Sequence, residues 1–562
     1  MNKKYKITAL CALLLATNTY AQDNDLSREL TIEREYNPSV GDANKINTLP
    51  EVKEPVITKR TIDYANQTFL LNPPKEITTL SSGKVMTDIL YSKQRGYLNL
   101  GAGMGVNING DFGYHILSTD ANKLNVFLSH RSTNGKRKYL QSDEKWDAKL
   151  NDNIGGINFK HDFGSAAFTI GAQYGYSAFN YFGYPVVHLA SSIIPDFNRD
   201  TEQVNQNITV NTGVESKKDA DIYYSLNLGF TNFSQKYGFS KEIDGVTENT
   251  FSVNGELNVS VSDNQRLGGE VIFTNLSDDS DHTAITLSPY YKIKGDSWNV
   301  KLGTNIMYLT GGYYDSEFVL SPNITADVEV ANKTVLYANA GGSIQNNSMY
   351  EVSRINRYAN PGTNVIASQT WLDATAGLKT GALDGAWLHL FAGYKATDND
   401  MIFTPGSTPS IANSFGNYGI PEIFDTKKFY AGAEIKYNYQ SLFGISLKGV
   451  FNNWDAKNVY GQGEAYGRPK TEITSTIDVS PIDKFTVSAK YYLATGRKWT
   501  PGYAYEDKAK NINELNVTGT YIINETFGAY VQLNNLLSQK YDLWYGYPAQ
   551  GLNAMVGINI NF

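Results

Sequence analysis

Cysteine is almost missing from this sequence, with one residue, Cys11, in 562. It sits in an N-terminal stretch built like a removable export signal: Met1 to Lys6 is basic, Ile7 to Ala16 is apolar, and Thr19-Tyr20-Ala21 supplies a small-residue site, so cleavage is expected between Ala21 and Gln22. Removal of that segment takes the thiol with it, which excludes a disulfide framework, a cysteine nucleophile and a cysteine metal site together. Long hydrophobic runs are lacking as well. Ile7 to Ala16 is too short to span a bilayer, and nothing downstream approaches the roughly 18 to 20 apolar residues of a membrane helix. Charge is sparse, at 19% of residues with a net of −7, and scattered; with no basic patch, nucleic acid is excluded as a partner. An exported chain with these gaps is either soluble or a β-barrel.

What the chain does have is 39 Tyr, 25 Phe and 49 Gly, an enrichment that favours strands over helices. Alternation with a period of two recurs along it. Phe168, Ile170, Ala172, Tyr174 and Tyr176 oppose Thr169, Gly171, Gln173, Gly175 and Ser177, and Tyr224, Leu226, Leu228 and Phe230 oppose Ser225, Asn227, Gly229 and Thr231. Trp298 to Ile306 and Phe443 to Phe451 repeat the pattern. A transmembrane strand needs this one-sidedness, because lipid touches one face and a polar lumen the other. Connections fall into two classes. Short ones recur near Ser118, Asp162, Lys217, Ser262, Lys294, Ala331, Leu383, Gln440, Ser480 and Asn524; longer ones, such as Thr133 to Glu144, Tyr181 to Asp200, Asn347 to Ile366, Pro405 to Thr426, Thr500 to Lys510 and Leu537 to Gln550, alternate with them. Short periplasmic turns alternating with longer extracellular loops are the outer-membrane arrangement. The expected fold is an all-β transmembrane antiparallel barrel of about 22 strands over residues 95–562, preceded by a signal at 1–21 and an extended, proline-punctuated periplasmic arm at 22–94. A lumen that wide needs something to occlude it.

The last strand carries a more specific signal. Val556, Ile558, Ile560 and Phe562 form one apolar row ending on the terminal aromatic, the form in which the barrel-assembly machinery reads outer-membrane strands. Just upstream, Asn534-Asn535-Leu536, Lys540-Tyr541 and Gly546-Tyr547-Pro548 resemble the final hairpin of TonB-dependent receptors, departing at Ala549 to Leu552 where that family has a Pro-Gly-Arg return. His130 to Gly135 and Asn180 to Pro185 are similar to receptor-like barrels of Bacteroidota. The resemblance covers the barrel and implies a receptor or transport barrel, but the family's separate plug domain has no counterpart in Gln22 to Gln94. Glu29 to Glu33 could add to a partner's sheet edge, although a tether explains that segment more simply.

Enzymatic chemistry is not expected. His115, His130, His161, His188, His282 and His389 lack metal-ligand spacing and nucleophile motifs, and His389 reads as part of an aromatic belt at the membrane boundary. Ser277 to Asp281 and Asp398-Asn399-Asp400 follow no complete calcium-loop spacing and read as solvated loops. Tyr313-Tyr314, Trp454 and Trp544-Tyr545 suit interfacial belts or stacking on planar ligands. No cofactor is expected. The expected partners are outer-membrane lipid, the assembly machinery and envelope proteins contacted by the arm or loops. Passive or partner-dependent uptake is the leading function, and a non-transporting scaffold the alternative.

Overall fold

Alternation sets the architecture. In the computed structural model, which describes residues 94–186, 197–218, 220–277, 281–312, 314–361, 366–381, 383–407, 413–461, 463–500 and 508–562, one antiparallel sheet of 23 segments closes on itself. Two segments, Tyr314–Pro322 and Ile324–Ala331, are one strand broken at Asn323, since both pair with Trp298–Gly311. Pro322 has no N–H to give the ladder there. The barrel therefore has 22 strands. Gly96–Gly103 and Asn553–Asn561 close it, in register from Tyr97 opposite Asn561 to Gly103 opposite Met555.

The outer surface is apolar and the inner surface polar, as a lipid-spanning strand requires. In the strand Ile222–Gln235, Tyr224, Leu226 and Phe230 are exposed on the outside; in Asn553–Asn561, Val556 and Ile558 are. Residues of opposite parity face inward and bond across the wall. Arg131 pairs with Asp111 at 2.6 Å, Lys301 with Glu270 at 2.5 Å, and Tyr290 donates to Glu256 at 2.6 Å. Every one of the ten short connections lies at one end of the barrel, with Gly96 and Phe562, and the longer connections lie at the other. The signal segment with Ala21 and Gln22, the arm up to Lys93, Glu29 to Glu33, His188, Tyr313 and the middle of Ser277 to Asp281 lie outside the described residues.

Strands run from 8 to 22 residues, and the tallest overshoot the membrane. At about 3.3 Å per residue a 22-residue strand is roughly 70 Å long, where 9 to 11 residues suffice to cross. This overshoot corrects two loop expectations. Pairing continues from Thr133 through Lys138 opposite Lys145, leaving only 139–144 as loop, and from Pro405 to Gly406 opposite Tyr418. Three connections at the loop end are also short: after Gly103, after Ser277 and after Gly311.

Three local expectations change for the same reason, that parity and pairing place the side chains. His389 faces the lumen, because Leu390 is the outward residue of its strand; it is buried and its Nε2 lies 2.8 Å from the Tyr337 hydroxyl, so it is no part of a lipid-facing belt. Asp398 to Asp400 is not a solvated loop but a bulge in Ala386–Gly406, where Asp400 takes two bonds from Arg468 at 2.6 and 2.8 Å. Trp454 stands against Arg468 and Lys428 and donates to the Pro469 carbonyl, away from any belt.

Candidate lid and the cavity beneath it

At the loop end, the described part of the connection between Gln345 and Ser368, residues 346–361, turns inward. Ser348 caps the short helix Met349–Ile355, accepting from the Glu351 N–H at 3.2 Å. The first turn's free N–H groups need acceptors, and the fully buried carboxylate of Glu248, on the strand Thr247–Ser262, takes those of Met349 and Tyr350, each at 2.7 Å. Beyond the helix, Arg357 grips Asp152 through both guanidinium nitrogens, at 3.0 and 3.1 Å, and contacts the Ser177 hydroxyl. Asp152 stands on the fourth strand of the ring, whereas the connection leaves from the thirteenth. Nine strands apart in a ring of 22 is nearly opposite, so the segment crosses the mouth of the barrel.

Tyr358 then enters an aromatic cluster drawn from four other connections or strand ends. Its ring stacks on Tyr547 at 4.0 Å and meets Phe179 and Phe182 edge-on at 5.8 and 5.6 Å, while Tyr181 stacks on Phe415 at 4.3 Å. Such offset and edge-on pairs add to the burial of large apolar rings. The polar ends are also used. The Tyr547 hydroxyl donates to the Asn417 carbonyl at 2.6 Å, Asn417 donates to the carbonyls of Tyr184 and Tyr545 at 3.0 and 2.8 Å, and the Tyr181 hydroxyl donates to the Ala359 carbonyl at 3.0 Å. Backbone bonds run from Tyr184 to Gly546 and from Gly419 to Tyr358. Gly546 is required twice over: its φ is +77°, and a Cβ there would lie 2.6 Å from Asn417 Nδ2.

The hairpin Asp542–Pro548 is held from both sides. Arg497, buried, donates to the carbonyls of Gly467, Asp542 and Leu543 at 3.1, 3.0 and 2.7 Å; burial pulls its pKa down to about 10. Asp542 is buried too, accepting from Gln141 at 2.7 Å and from the Gly546 N–H at 2.9 Å, and desolvation pushes its carboxyl up to about 6. Seven connections thus knit into one lid. Below it lies a cavity of about 150 Å³ bordered by Asn107, Thr133, Arg137, Arg357, Tyr358 and Asn553 among others.

Most of the residues singled out from the terminal hairpin resemblance divide between these two features. Tyr541 is buried and donates to Glu514, Gly546 shapes the hairpin, Tyr547 is central to the lid, and Pro548 lines the cavity with Asn534 and Asn535. Asn535 holds its own loop, donating to the carbonyls of Gln539 and Gln550, each at 2.9 Å. Leu536 and Lys540 are exposed and contribute to neither. Val556, Ile558, Ile560 and Phe562 share the outward row of the closing strand. Trp544 and Tyr545 belong to the lid, packing against Phe403 and Trp499 rather than lying at a lipid boundary. Sequence reading missed Glu248, Asp152, Arg357, Tyr358 and Arg137; a solitary Arg-Tyr pair in an asparagine-rich loop was the one local hint.

No protein-family model matches the sequence, and no curated protein matches it. Among solved structures, the barrel is similar to a ferric enterobactin receptor mutant from Pseudomonas aeruginosa in complex with enterobactin, at 12% identity and a TM-score of 0.62, with 84% of this chain and 82% of that chain covered. It is also similar to the ferric-catecholate import receptor Fiu of K12 E. coli, at 9% identity, a TM-score of 0.60 and the same coverage, and to the copper transporter OprC, at 10%, 0.60, and 84% and 80%. A further neighbour at 12% identity is a ferripyoverdine receptor of the outer membrane. These likenesses establish the fold. With the apolar outer wall, they make this chain an integral outer-membrane barrel, its turn end periplasmic and its loop end extracellular.

Proposed function

We propose that the chain is an uptake barrel of the outer membrane, built on the receptor fold, whose extracellular gate is its own loops and whose transport is passive or dependent on a partner. The observation that carries this reading is the segment 346–361 lying across the mouth and locked to the far wall through Arg357 and Asp152. A barrel of 22 strands has a lumen wide enough to pass solutes, so a seal made of movable loops supplies selectivity that an open pore lacks. The names of the neighbours, import receptors and a transporter, support the same class. So does the terminal hairpin's resemblance to TonB-dependent receptors and the early hairpins' similarity to barrels of Bacteroidota, in a form without a separate plug. On this reading residues 22–94, after a signal ending at Ala21, are the periplasmic arm through which envelope partners act.

Planar-bilayer recording tests the gate. Full-length purified protein should be nearly silent, and replacing residues 349–360 by a short Gly-Ser linker should give large, steady currents. Steady currents from the intact chain would show that the lid is no seal; silence from the shortened one would show that the loop is no gate. The alternative scaffold role draws on one observation, the strongly exposed Val459 and Tyr460 at the tip of the 458–470 loop, which suit a protein partner. Gentle extraction from native membranes separates the two: stoichiometric partners with a silent shortened barrel support the scaffold.

A further inference from the structure

We propose that the cavity beneath the lid binds an oxyanion, the carboxylate or phosphate group of a small solute, with Arg137 as its charge partner. The proposal rests on the uptake reading, for which it names a substrate class.

Arg137 stands on the inward-facing row of the strand Asn122–Lys138, the row in which Arg131 bonds Asp111. Arg354, on the lid helix, is exposed to solvent, and the other arginines of the lumen and lid are accounted for: Arg131 by Asp111, Arg199 by Glu144, Arg266 by Asn258 and the Ala220 carbonyl, Arg357 by Asp152, Arg468 by Asp400, and Arg497 by three carbonyls. Among the described residues Arg137 is the one arginine not exposed to solvent that makes neither an ion pair nor a hydrogen bond, although it borders the cavity. Its guanidinium lies back beside Gly135, where an added Cβ would be 3.5 Å from Nη1, instead of reaching bulk water. The acid that shares the cavity, Glu514, is already engaged by the Tyr541 hydroxyl and by Asn516 at 2.9 Å. The remaining polar border includes a second cation, Lys149, amides such as Asn107, Asn109, Asn534 and Asn553, and the hydroxyls of Ser132 and Thr133.

A half-buried guanidinium without a counter-charge is costly, and a forked donor is satisfied best by a two-oxygen acceptor, which carboxylates and phosphates both present. Size limits the occupant. About 150 Å³ is well under the roughly 300 to 1,000 Å³ of sites for drug-sized molecules, so the cavity takes an anionic group or a small acid. The surrounding amides supply further donors to the same oxygens.

Calorimetric titration of the full chain in detergent, with sodium phosphate, sodium succinate and neutral succinamide as separate probes, decides the matter. Saturable one-site binding of phosphate or succinate is expected, with none of succinamide. Phosphate alone binding assigns a phosphate group, and succinate alone a carboxylate. Arg137→Gln should weaken the bound anion at least ten-fold, with Arg137→Lys weakened less. Absence of binding by both anions, equal binding of succinamide, or unchanged affinity in a folded Arg137→Gln variant would overturn the proposal; where that variant does not fold, the three wild-type titrations still decide. A protein that binds the anion but stays silent after loop shortening keeps this site and loses the uptake reading, whereas one that conducts without binding does the reverse.

Discussion

At the scale of single residues, the lid holds its closed form with a few buried polar groups, and Asp542 makes that form depend on pH. Its carboxyl is about 6 in the closed lid against an ordinary 3.8, so closure favours the protonated acid. The sign follows: between about pH 4 and pH 6 the closed lid binds more protons than an opened one, so its stability falls as pH rises through that window and stays low above it. The full effect is at most about 3 kcal/mol. Spontaneous opening events in bilayer recordings should therefore become more frequent from pH 4 to pH 6. Asp542→Asn, which mimics the neutral acid, should flatten that dependence and open less than wild type at pH 7. Gly546→Ala should act at all pH values, since a Cβ at a φ of +77° also strikes Asn417; opening should rise by a factor expected for roughly 1 to 3 kcal/mol of strain, read in the same recordings. The terminal hairpin pattern pointed to Gly546 and Tyr547, but not to what they touch. Tyr547 meets Tyr358 across 189 positions of sequence, a pairing that no local pattern encodes.

Among the elements, the crossing segment depends on two anchors of different kinds. Among the described residues the Glu248 carboxylate is the one acceptor for the Met349 and Tyr350 N–H groups, so Glu248→Ala strands one buried and one part-buried donor, the buried one at roughly 1 to 3 kcal/mol. Limited proteolysis should then cut within residues 346–367 at a protease dose that spares the wild type. The Arg357–Asp152 pair behaves differently, because breaking a buried pair leaves one charge uncompensated while removing both does not. Arg357→Met and Asp152→Asn should each raise cleavage of the segment more than the double substitution does. Strands, turns and their polarity were legible in the sequence because period-two alternation and turn residues are local, and the ten short turns fall where composition places them. The tops of strands were not. Past the membrane no lipid imposes alternation, so stretches such as Thr133 to Lys138, rich in Asn, Gly and Lys, look like loop while the ladder continues through them. The seven-residue helix Met349–Ile355 is likewise too short to show a period, and exists because Glu248 and the far wall receive it.

For the whole molecule, the barrel is uneven around its circumference, and that unevenness locates its weakest seam. The ladders around the closure are the short ones, with seven paired positions between Gly96–Gly103 and Asn553–Asn561 and six between Ile512–Ile522 and Phe527–Asn534, whereas the wall formed by Ala386–Gly406 and Tyr418–Tyr439 is paired over most of 20 residues. Near the minimum length for crossing, the closing strands have little ladder to spare beyond the membrane. Beyond the ladder, Phe562 exchanges backbone bonds with Gly96 at 2.7 and 3.0 Å and stacks near Tyr114 at 6.0 Å, so the terminal aromatic fastens the periplasmic end of the seam. Loss of the folded state should begin there. A cross-link joining the inward-facing partners Asn99 and Asn559, as the Asn99→Cys/Asn559→Cys variant under oxidising conditions, should lengthen the half-life of the fast-migrating folded form during heating in detergent, with the gain lost on reduction. The same pair of changes at Lys395 and Lys428, opposite each other on the tall wall, should leave that half-life nearly unchanged. Equal protection at both places would mean that the barrel has no preferred seam and that its stability is shared evenly around the ring.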